Sequence, residues 1–179
     1  MVEGGATAVS LNGRDGRMTA EDNPSQSGMK SLTIHARFKL NGFPRQQTAL
    51  VRKWGPLFDA AGPEDDSFTL DVNESGKLWL QVQNGKDLGR WGVGSEALPV
   101  GQWVEVVAVY DGQRNRLYVR RDGGDWQMFE GFLIPTQVRA FLIRDTGEPV
   151  EMGCDPHRRS FLNVAIDWVR IYADAWDPR

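Results

Sequence analysis

Short runs in which apolar and polar residues alternate, separated by turn residues, recur along almost the whole chain. In residues 32–38 every second position is apolar and the positions between them are polar: Leu32, Ile34, Ala36 and Phe38 against Thr33, His35 and Arg37. Successive side chains of a strand point to opposite faces, so one face of this segment lies in a core and the other in water. No stretch keeps a helical period over several turns, and we therefore predict an all-β chain.

The clearest hairpin joins residues 68–72 to residues 78–82 through a glycine-containing turn. The register that buries the apolar residues of both strands places Trp79 across from Asp71 on the opposite, outer face. That outer face then holds one aromatic ring and several polar groups: Thr69, Asp71, Trp79, Gln81 and Gln83.

A second hairpin is predicted from residues 103–110 and 116–121. Its second strand points Leu117 and Val119 inward, so three other side chains point outward: Arg116, Tyr118 and Arg120. Strands are also expected at residues 126–130 and 163–172, a long loop at residues 55–66 and a flexible loop at residues 92–94. Turns that recur roughly every ten residues are typical of β-sandwiches rather than of βαβ units.

Composition and charge narrow the classes of function. The chain has 179 residues and a net charge of -3, so it lacks the basic excess that binding to nucleic acid requires. No apolar stretch approaches the roughly 18 residues needed to cross a bilayer, which argues against a membrane protein. The single cysteine, Cys154, cannot form an internal disulfide, so stability has to come from the core. With neither repeat nor linker, we expect one domain over residues 1–179.

Motifs of catalysis and metal binding are largely missing from the sequence. Retaining glycoside hydrolysis needs two carboxyl groups about 5 Å apart, and the nearest acidic run, Glu64–Asp66, is interpreted as a solvated turn. A lyase site would need clustered His, Tyr and basic residues, for which His35 is the candidate, although a surface role fits it better. Cys154 and His157 lack the further ligands that tetrahedral zinc requires. We expect no enzyme activity.

Four segments, taken in order, resemble the laminin-G-like domains of the concanavalin A-like lectin and glucanase superfamily. They comprise an opening strand with an Asp-containing loop, a second strand, a strand-and-hairpin unit and a closing strand: residues 8–18, 31–38, 98–119 and 166–172. The third is the most specific, since Leu98-Pro99-Val100-Gly101-Gln102-Trp103 leads into the hairpin that ends with Leu117-Tyr118-Val119. The resemblance covers nearly the whole chain and implies a two-sheet antiparallel jelly-roll sandwich.

The resemblance also implies carbohydrate ligands, an extracellular or cell-surface setting and, often, a structural calcium ion at the rim of the sheets. Residues 1–10 carry no signal-peptide pattern, so the extracellular setting rests on the resemblance alone. The family positions for calcium correspond to Asp15 and Asp167, while Gly16 stands where a second carboxylate is common. A calcium site with fewer charged ligands binds the ion more weakly. The alternative role for Asp167 is to accept hydrogen bonds from the backbone or from Arg.

The seven tryptophans raise the question of a sugar-binding face. Sugars stack their C–H faces on aromatic rings, and their hydroxyl groups bond to amides, carboxylates and Arg. The predicted ligand-binding residues combine these types: Trp79, Gln81, Gln83, Asp71, Tyr118, Arg116, Arg37 and His35. The alternative is that such rings only cover a sheet or lie beneath a loop. Five of the other six tryptophans are assigned to the framework, to loop rims and to docking of the chain end: Trp103 and Trp168, Trp54 and Trp91, and Trp176.

These features favour a non-catalytic, lectin-like carbohydrate-binding module, an accessory domain of a secreted protein that acts on polysaccharides. Its partners would be a polysaccharide or glycan and other domains of a parent protein. The first alternative is a structural or adhesion domain whose aromatic face contacts protein. The second is a polysaccharide hydrolase or lyase with an unrecognised site. Fold alone does not choose among them, because this architecture hosts all three.

Overall fold

The structure is a computed structural model and describes residues 8–26, 28–53, 67–83, 91–131, 142–143, 145–156 and 159–179. Within these ranges the chain is built of strands, apart from loops and a short 3-10 helix at Pro24–Gln26. The strands, in chain order, are β1 (Val9–Asn12), β2 (Met18–Ala20), β3 (Leu32–Leu40), β4 (Thr48–Lys53), β5 (Phe68–Val72), β6 (Lys77–Val82), β7 (Trp91–Ala97), β8 (Trp103–Tyr110), β9 (Asn115–Arg121), β10 (Gln127–Gly131), β11 (Val150–Met152), β12 (Cys154–Asp155), β13 (Ser160–Phe161) and β14 (Asn163–Tyr172).

Most of these strands belong to two antiparallel sheets. Sheet 1 has the order β1-β14-β3-β8-β9-β10, and sheet 2 has the order β2-β11-β4-β5-β6-β7. Strands far apart in sequence, such as β1 and β14, are therefore neighbours, as the crossing connections of a jelly roll require. A short separate pair is formed by β12 and β13. The predicted all-β, two-sheet antiparallel sandwich is confirmed.

The core lies between the sheets and is formed by the alternate apolar positions of their strands. In β3, β5 and β6 these side chains have no solvent exposure: Leu32, Ile34, Ala36, Phe38, Phe68, Leu70, Val72, Leu78, Leu80 and Val82. They belong to one continuous cluster that takes residues from both sheets. Burying apolar surface contributes roughly 25 cal/mol per Å², so this cluster is the main source of stability. A slip of one residue in any of these strands would expose its whole set, and the core thus fixes the register.

The register of both predicted hairpins is confirmed. In the first, Asp71 of β5 pairs with Trp79 of β6. In the second, Tyr118 of β9 pairs with Val107 of β8, while Leu117 and Val119 enter the core. The closing strand β14 also has its predicted bounds, and a bulge interrupts its pairing with β3 between Ile166 and Trp168.

The described structure differs from the sequence-based prediction at β7 and at β4. Residues 92–94 are not a flexible loop, because they lie inside β7 and pair with β6. Strand β4 escaped prediction because a bulge between Ala49 and Val51 breaks its alternation, and all six of its residues are buried. Its Lys53 is held by the carboxylates of Asp22 and Asp145 and donates to the backbone carbonyl of Glu148 at 3.1 Å, as a buried cation requires. The predicted loop at residues 55–66 lies outside the described residues.

Candidate carbohydrate-binding face

The predicted ligand-binding residues fall on two surfaces that point in opposite directions. Asp71, Trp79, Gln81 and Gln83 belong to the outer face of sheet 2, which we call the Trp79 face. His35, Arg37, Arg116 and Tyr118 belong to the outer face of sheet 1, which we call the His35 face. The predicted ligand-binding residues therefore do not share one face. Each hairpin contributes to a different sheet, and the core separates them.

Trp79 is a solvent-exposed aromatic residue of the Trp79 face. Its side chain projects from β6, and 39% of the residue is exposed. The indole lies over Gly94, which is directly opposite Trp79 on β7. A Cβ atom built on Gly94 would come within 2.8 Å of the six-membered ring of Trp79, so only glycine leaves this space for the ring. The next pair along the strands sets half-buried Gln81 opposite Gly92.

Asp71 anchors the polar groups beside Trp79. Its Oδ2 accepts hydrogen bonds from Gln47 Nε2 at 2.6 Å and from Thr69 Oγ1 at 3.3 Å. Only 7% of Asp71 is exposed, and burial raises the pKa of its carboxyl group above the usual value, against the opposing influence of the Gln47 hydrogen bond. Asp71 therefore acts chiefly by orienting Gln47. Gln83 is also buried, so Trp79 and Gln81 are the accessible members of the predicted set.

Two polar residues of this region were missed in the sequence. Gln47 precedes β4, and its backbone N–H donates to Glu74 Oε1 at 3.1 Å. Arg52, within β4, is paired with Asp155 at 3.1 Å. The bulge in β4 hid Arg52, since it removes the alternation that would have placed this residue on an outer face. Gln47 precedes the strand, where no alternation could place it. The signal available for Arg52 was its position directly after the short apolar stretch Ala49-Leu50-Val51.

The His35 face is closed by its own contacts. His35 Nε2 lies 2.6 Å from Glu105 Oε1, and its ring contacts those of Trp168 and Trp176 with centroids 4.3 Å and 4.8 Å apart. Burial lowers the pKa of His35, more than its hydrogen bond to Glu105 raises it. His35 is buried, so it is neither a surface histidine nor a catalytic group that substrate can reach.

The chain end covers much of this face. Thr33 Oγ1 donates to the backbone carbonyl of Asp174 at 2.6 Å and accepts from the backbone N–H of Trp176 at 3.1 Å. Tyr118 donates its hydroxyl to Asp177 at 3.3 Å and lies beneath the guanidinium of Arg179. Consequently Tyr118 points outward as predicted but is only 1% exposed, so the prediction of an open ring at this position is wrong.

The arginines of the His35 face are also engaged. Arg37 forms an ion pair with Asp167 and lies 4.6 Å from the ring centroid of Trp103. Arg116 is paired with Asp111 at 2.7 Å and with Glu130 at 3.3 Å. The tryptophans assigned to the framework, Trp103 and Trp168, do lie in strands, yet they are half-buried on this outer face rather than in the core. Of the two assigned to loop rims, Trp54 lies outside the described residues, and Trp91 begins β7.

Asp15 and Asp167 do not fit a shared calcium site. Asp15 follows Asn12, which pairs with Asn163 of β14, whereas Asp167 lies four residues further along that strand. Four residues of strand span about 13 Å. Asp15 accepts a hydrogen bond from the side chain of Asn12 at 2.8 Å, and Asp167 is bound to Arg37, which was the alternative role expected of it. Among the described residues no three His, Cys, Asp or Glu side chains are placed to hold a metal ion. Calcium binding by this chain stays a prediction.

The amino-acid sequence of the chain matches a known family of domains. The family description for laminin-G-type domains of the concanavalin A-like lectin/glucanases superfamily matches residues 12–179, and the chain belongs to that superfamily. No curated protein sequence matches the chain.

Solved structures similar to this chain include modules and whole enzymes. A CBM40 module of a Ruminococcus gnavus IT-sialidase, bound to α2,3-sialyllactose, has a TM-score of 0.66 at 14% identity, with 96% of this chain and 92% of the module covered. A Trypanosoma rangeli sialidase has a TM-score of 0.58 at 10% identity, and a leech intramolecular trans-sialidase 0.65 at 12%. This chain spans only 26% of the length of each of these two enzymes. At such identities the likeness concerns the fold. No helix in the described part of the chain is long and apolar enough to span a membrane.

Proposed function

We propose that this chain is a non-catalytic carbohydrate-binding module whose ligand-binding surface is the Trp79 face. The observation that carries the proposal is the exposed indole of Trp79, fixed on a strand and lying over Gly94. Gln81 follows two residues later on the same face, and Gln47 is held by Asp71, the residue opposite Trp79. A flat aromatic surface next to groups that both donate and accept hydrogen bonds suits a sugar ring with its hydroxyl groups.

The rigidity of this face supports the proposal. Trp79 and Gln81 project from β6, which is hydrogen-bonded on both sides, to β5 and to β7, and Gln47 is tied at its side chain to Asp71 and at its backbone to Glu74. Groups already held in place lose little conformational freedom when a ligand binds, so more of the contact energy becomes affinity.

The similar structures support an accessory role. One of them is a CBM40 module with bound sialyllactose, and this chain covers almost the whole of it but only about a quarter of two whole sialidases (92% against 26%). We infer that the chain works as the binding part of a longer, polysaccharide-active extracellular protein, and that catalysis belongs to another part of that protein.

A glycan array probed with this chain tests the proposal. Discrete glycan hits that are lost in Trp79→Ala, with the melting temperature unchanged, are the expected result. Silence across the array would overturn the proposal, and turnover of a polysaccharide by the chain alone would replace it with an enzymatic function.

A protein-contact role is the second candidate, and the His35 face favours it. Three large side chains there or at its margin remain exposed: Met128 at 41%, Tyr172 at 42% and Trp176 at 43%. Binding of an isolated neighbouring domain of the parent protein, weakened by Trp176→Ala, would support this role.

A further inference from the structure

A second exposed aromatic ring lies at one end of the strand that carries Trp79. Phe43 belongs to the connection between β3 and β4, and it contacts the turn that joins β5 to β6. Phe43 is 46% exposed, which is slightly more than Trp79 at 39%. Each of the two residues therefore presents part of an aromatic ring to solvent, and an aromatic ring is a surface on which a sugar can stack.

Both rings are positioned by a glycine. A Cβ atom built on Gly76 would overlap the ring of Phe43, just as one built on Gly94 would overlap the ring of Trp79. Gly76 also has a φ of +74°, a backbone conformation that glycine adopts without strain. Each ring thus rests on backbone that carries no side chain, while the rest of its surface stays open.

The spacing of the two rings fits a chain of sugars. Gly76, which Phe43 contacts, directly precedes β6 and lies three residues before Trp79. Three residues of strand span about 10 Å. A linked hexose unit adds about 5 Å to a sugar chain, close to the distance between neighbouring strands. Three consecutive units are therefore the shortest chain that can contact both rings.

Polar side chains lie along the path between the two rings. Gln47 Nε2 donates to Asp71, the residue opposite Trp79, at 2.6 Å. The backbone N–H of Gln47 donates to Glu74 in the β5–β6 turn at 3.1 Å, so Gln47 lies between Trp79 and that turn. Lys77 is exposed and lies two residues before Trp79 on the same face of β6. Its ammonium group has three donors for sugar hydroxyl groups.

We propose that Phe43 is a second stacking position and that the site formed by Trp79 and Phe43 binds a linear oligosaccharide of at least three units. One unit stacks on Trp79, the next passes Gln47 and Lys77, and the third covers the ring of Phe43. This inference rests on the proposed function of the Trp79 face. It narrows the ligand from any glycan to an extended chain, as opposed to a single terminal sugar.

Titration calorimetry with oligosaccharide series tests the proposal. The probes are β1,4-linked chains of glucose, xylose, mannose and N-acetylglucosamine, each from one to six units long. In a series that binds, we expect affinity to rise about tenfold or more between two and four units, because only the longer chains reach both rings. Phe43→Ala should remove this rise and leave the affinity for two units within about twofold. Trp79→Ala should weaken binding at every length.

Two further variants separate stacking from a role of Phe43 in closing the end of the sandwich. Phe43→Leu keeps an apolar side chain over Gly76 but has no flat ring, so it should fold normally and still lack the rise. Phe43→Tyr keeps the ring and should retain the rise. Tyr172→Ala is the matched control, since Tyr172 is 42% exposed and lies on the other sheet, and it should change neither affinity.

Three outcomes would overturn the inference. Equal affinity for two-unit and four-unit chains would overturn it while leaving carbohydrate binding in place. A rise that persists in folded Phe43→Leu would do the same. Absence of binding to every series would overturn the proposed function itself, and the inference with it.

Discussion

The two outer faces of the sandwich carry the same kinds of side chain and differ in what those side chains contact. On the His35 face the tryptophans and arginines bind one another, their carboxylate partners and the end of the chain. On the Trp79 face the indole of Trp79 lies over Gly94, and more than a third of the residue is exposed. Aromatic and polar composition alone therefore does not mark a binding surface. The two faces differ in whether their aromatic and charged side chains are already bound by other groups of the protein.

The largest expected effect concerns stability on the His35 face. Tyr118 packs with Val107 and Val109 beneath the chain end, so Tyr118→Ala should lower the free energy of unfolding by about 3 kcal/mol through the cavity it leaves. Glycan binding should not change at temperatures where the variant is folded. Chemical denaturation measures the effect, with exposed Tyr172→Ala as the matched control that should change stability little. A stable Tyr118→Ala variant that loses glycan binding would reverse the roles of the two faces.

The next effect concerns affinity on the Trp79 face. Gly94→Ala places a methyl group where the ring of Trp79 now lies, so the ring has to move, and we expect about a tenfold loss of glycan affinity, or 1.4 kcal/mol. Gly42→Ala is the control, because a Cβ atom at Gly42 meets nothing within 4 Å. Titration calorimetry on both variants gives the comparison. Unchanged affinity in Gly94→Ala would show that the position of the indole does not matter for binding.

The smallest effect is a pH dependence on the His35 face. Burial lowers the folded-state pKa of His35 below its ordinary value, so the folded state resists protonation. The stability that this contributes is fully present above about pH 6.5 and is lost as pH falls through the lowered pKa. Compared with His35→Gln, the wild type should lose more of its free energy of unfolding as the pH falls from 7.5 to 5. Chemical denaturation at several pH values measures this difference. The same change in the free energy of unfolding for the wild type and His35→Gln across this range would contradict the effect.

Local sequence was sufficient to predict the pairing of Trp79 with Asp71, but it did not reveal Gln47 or Arg52 of the same region. Alternation within two adjacent strands and one short turn fixes the pairing of Trp79 with Asp71, and no distant residue changes it. The burial of Tyr118 could not be predicted from local sequence, because it depends on Asp177, which lies 59 residues away. It also depends on the docking of the chain end through backbone groups, which leave no pattern in the sequence. The proposed meeting of Asp15 with Asp167 failed for a similar reason. It depends on the register of β1 against β14, which no local turn sets.

The central claim is that an exposed tryptophan on one face binds glycan and an equally exposed tryptophan on the other does not. Trp79 and Trp176 are 39% and 43% exposed, so their replacement by alanine removes similar open surfaces. Titration calorimetry with a neutral oligosaccharide that the wild type binds should show Trp79→Ala at least tenfold weaker and Trp176→Ala unchanged, with both variants folded. Loss of binding in Trp176→Ala with retention in Trp79→Ala would contradict the account.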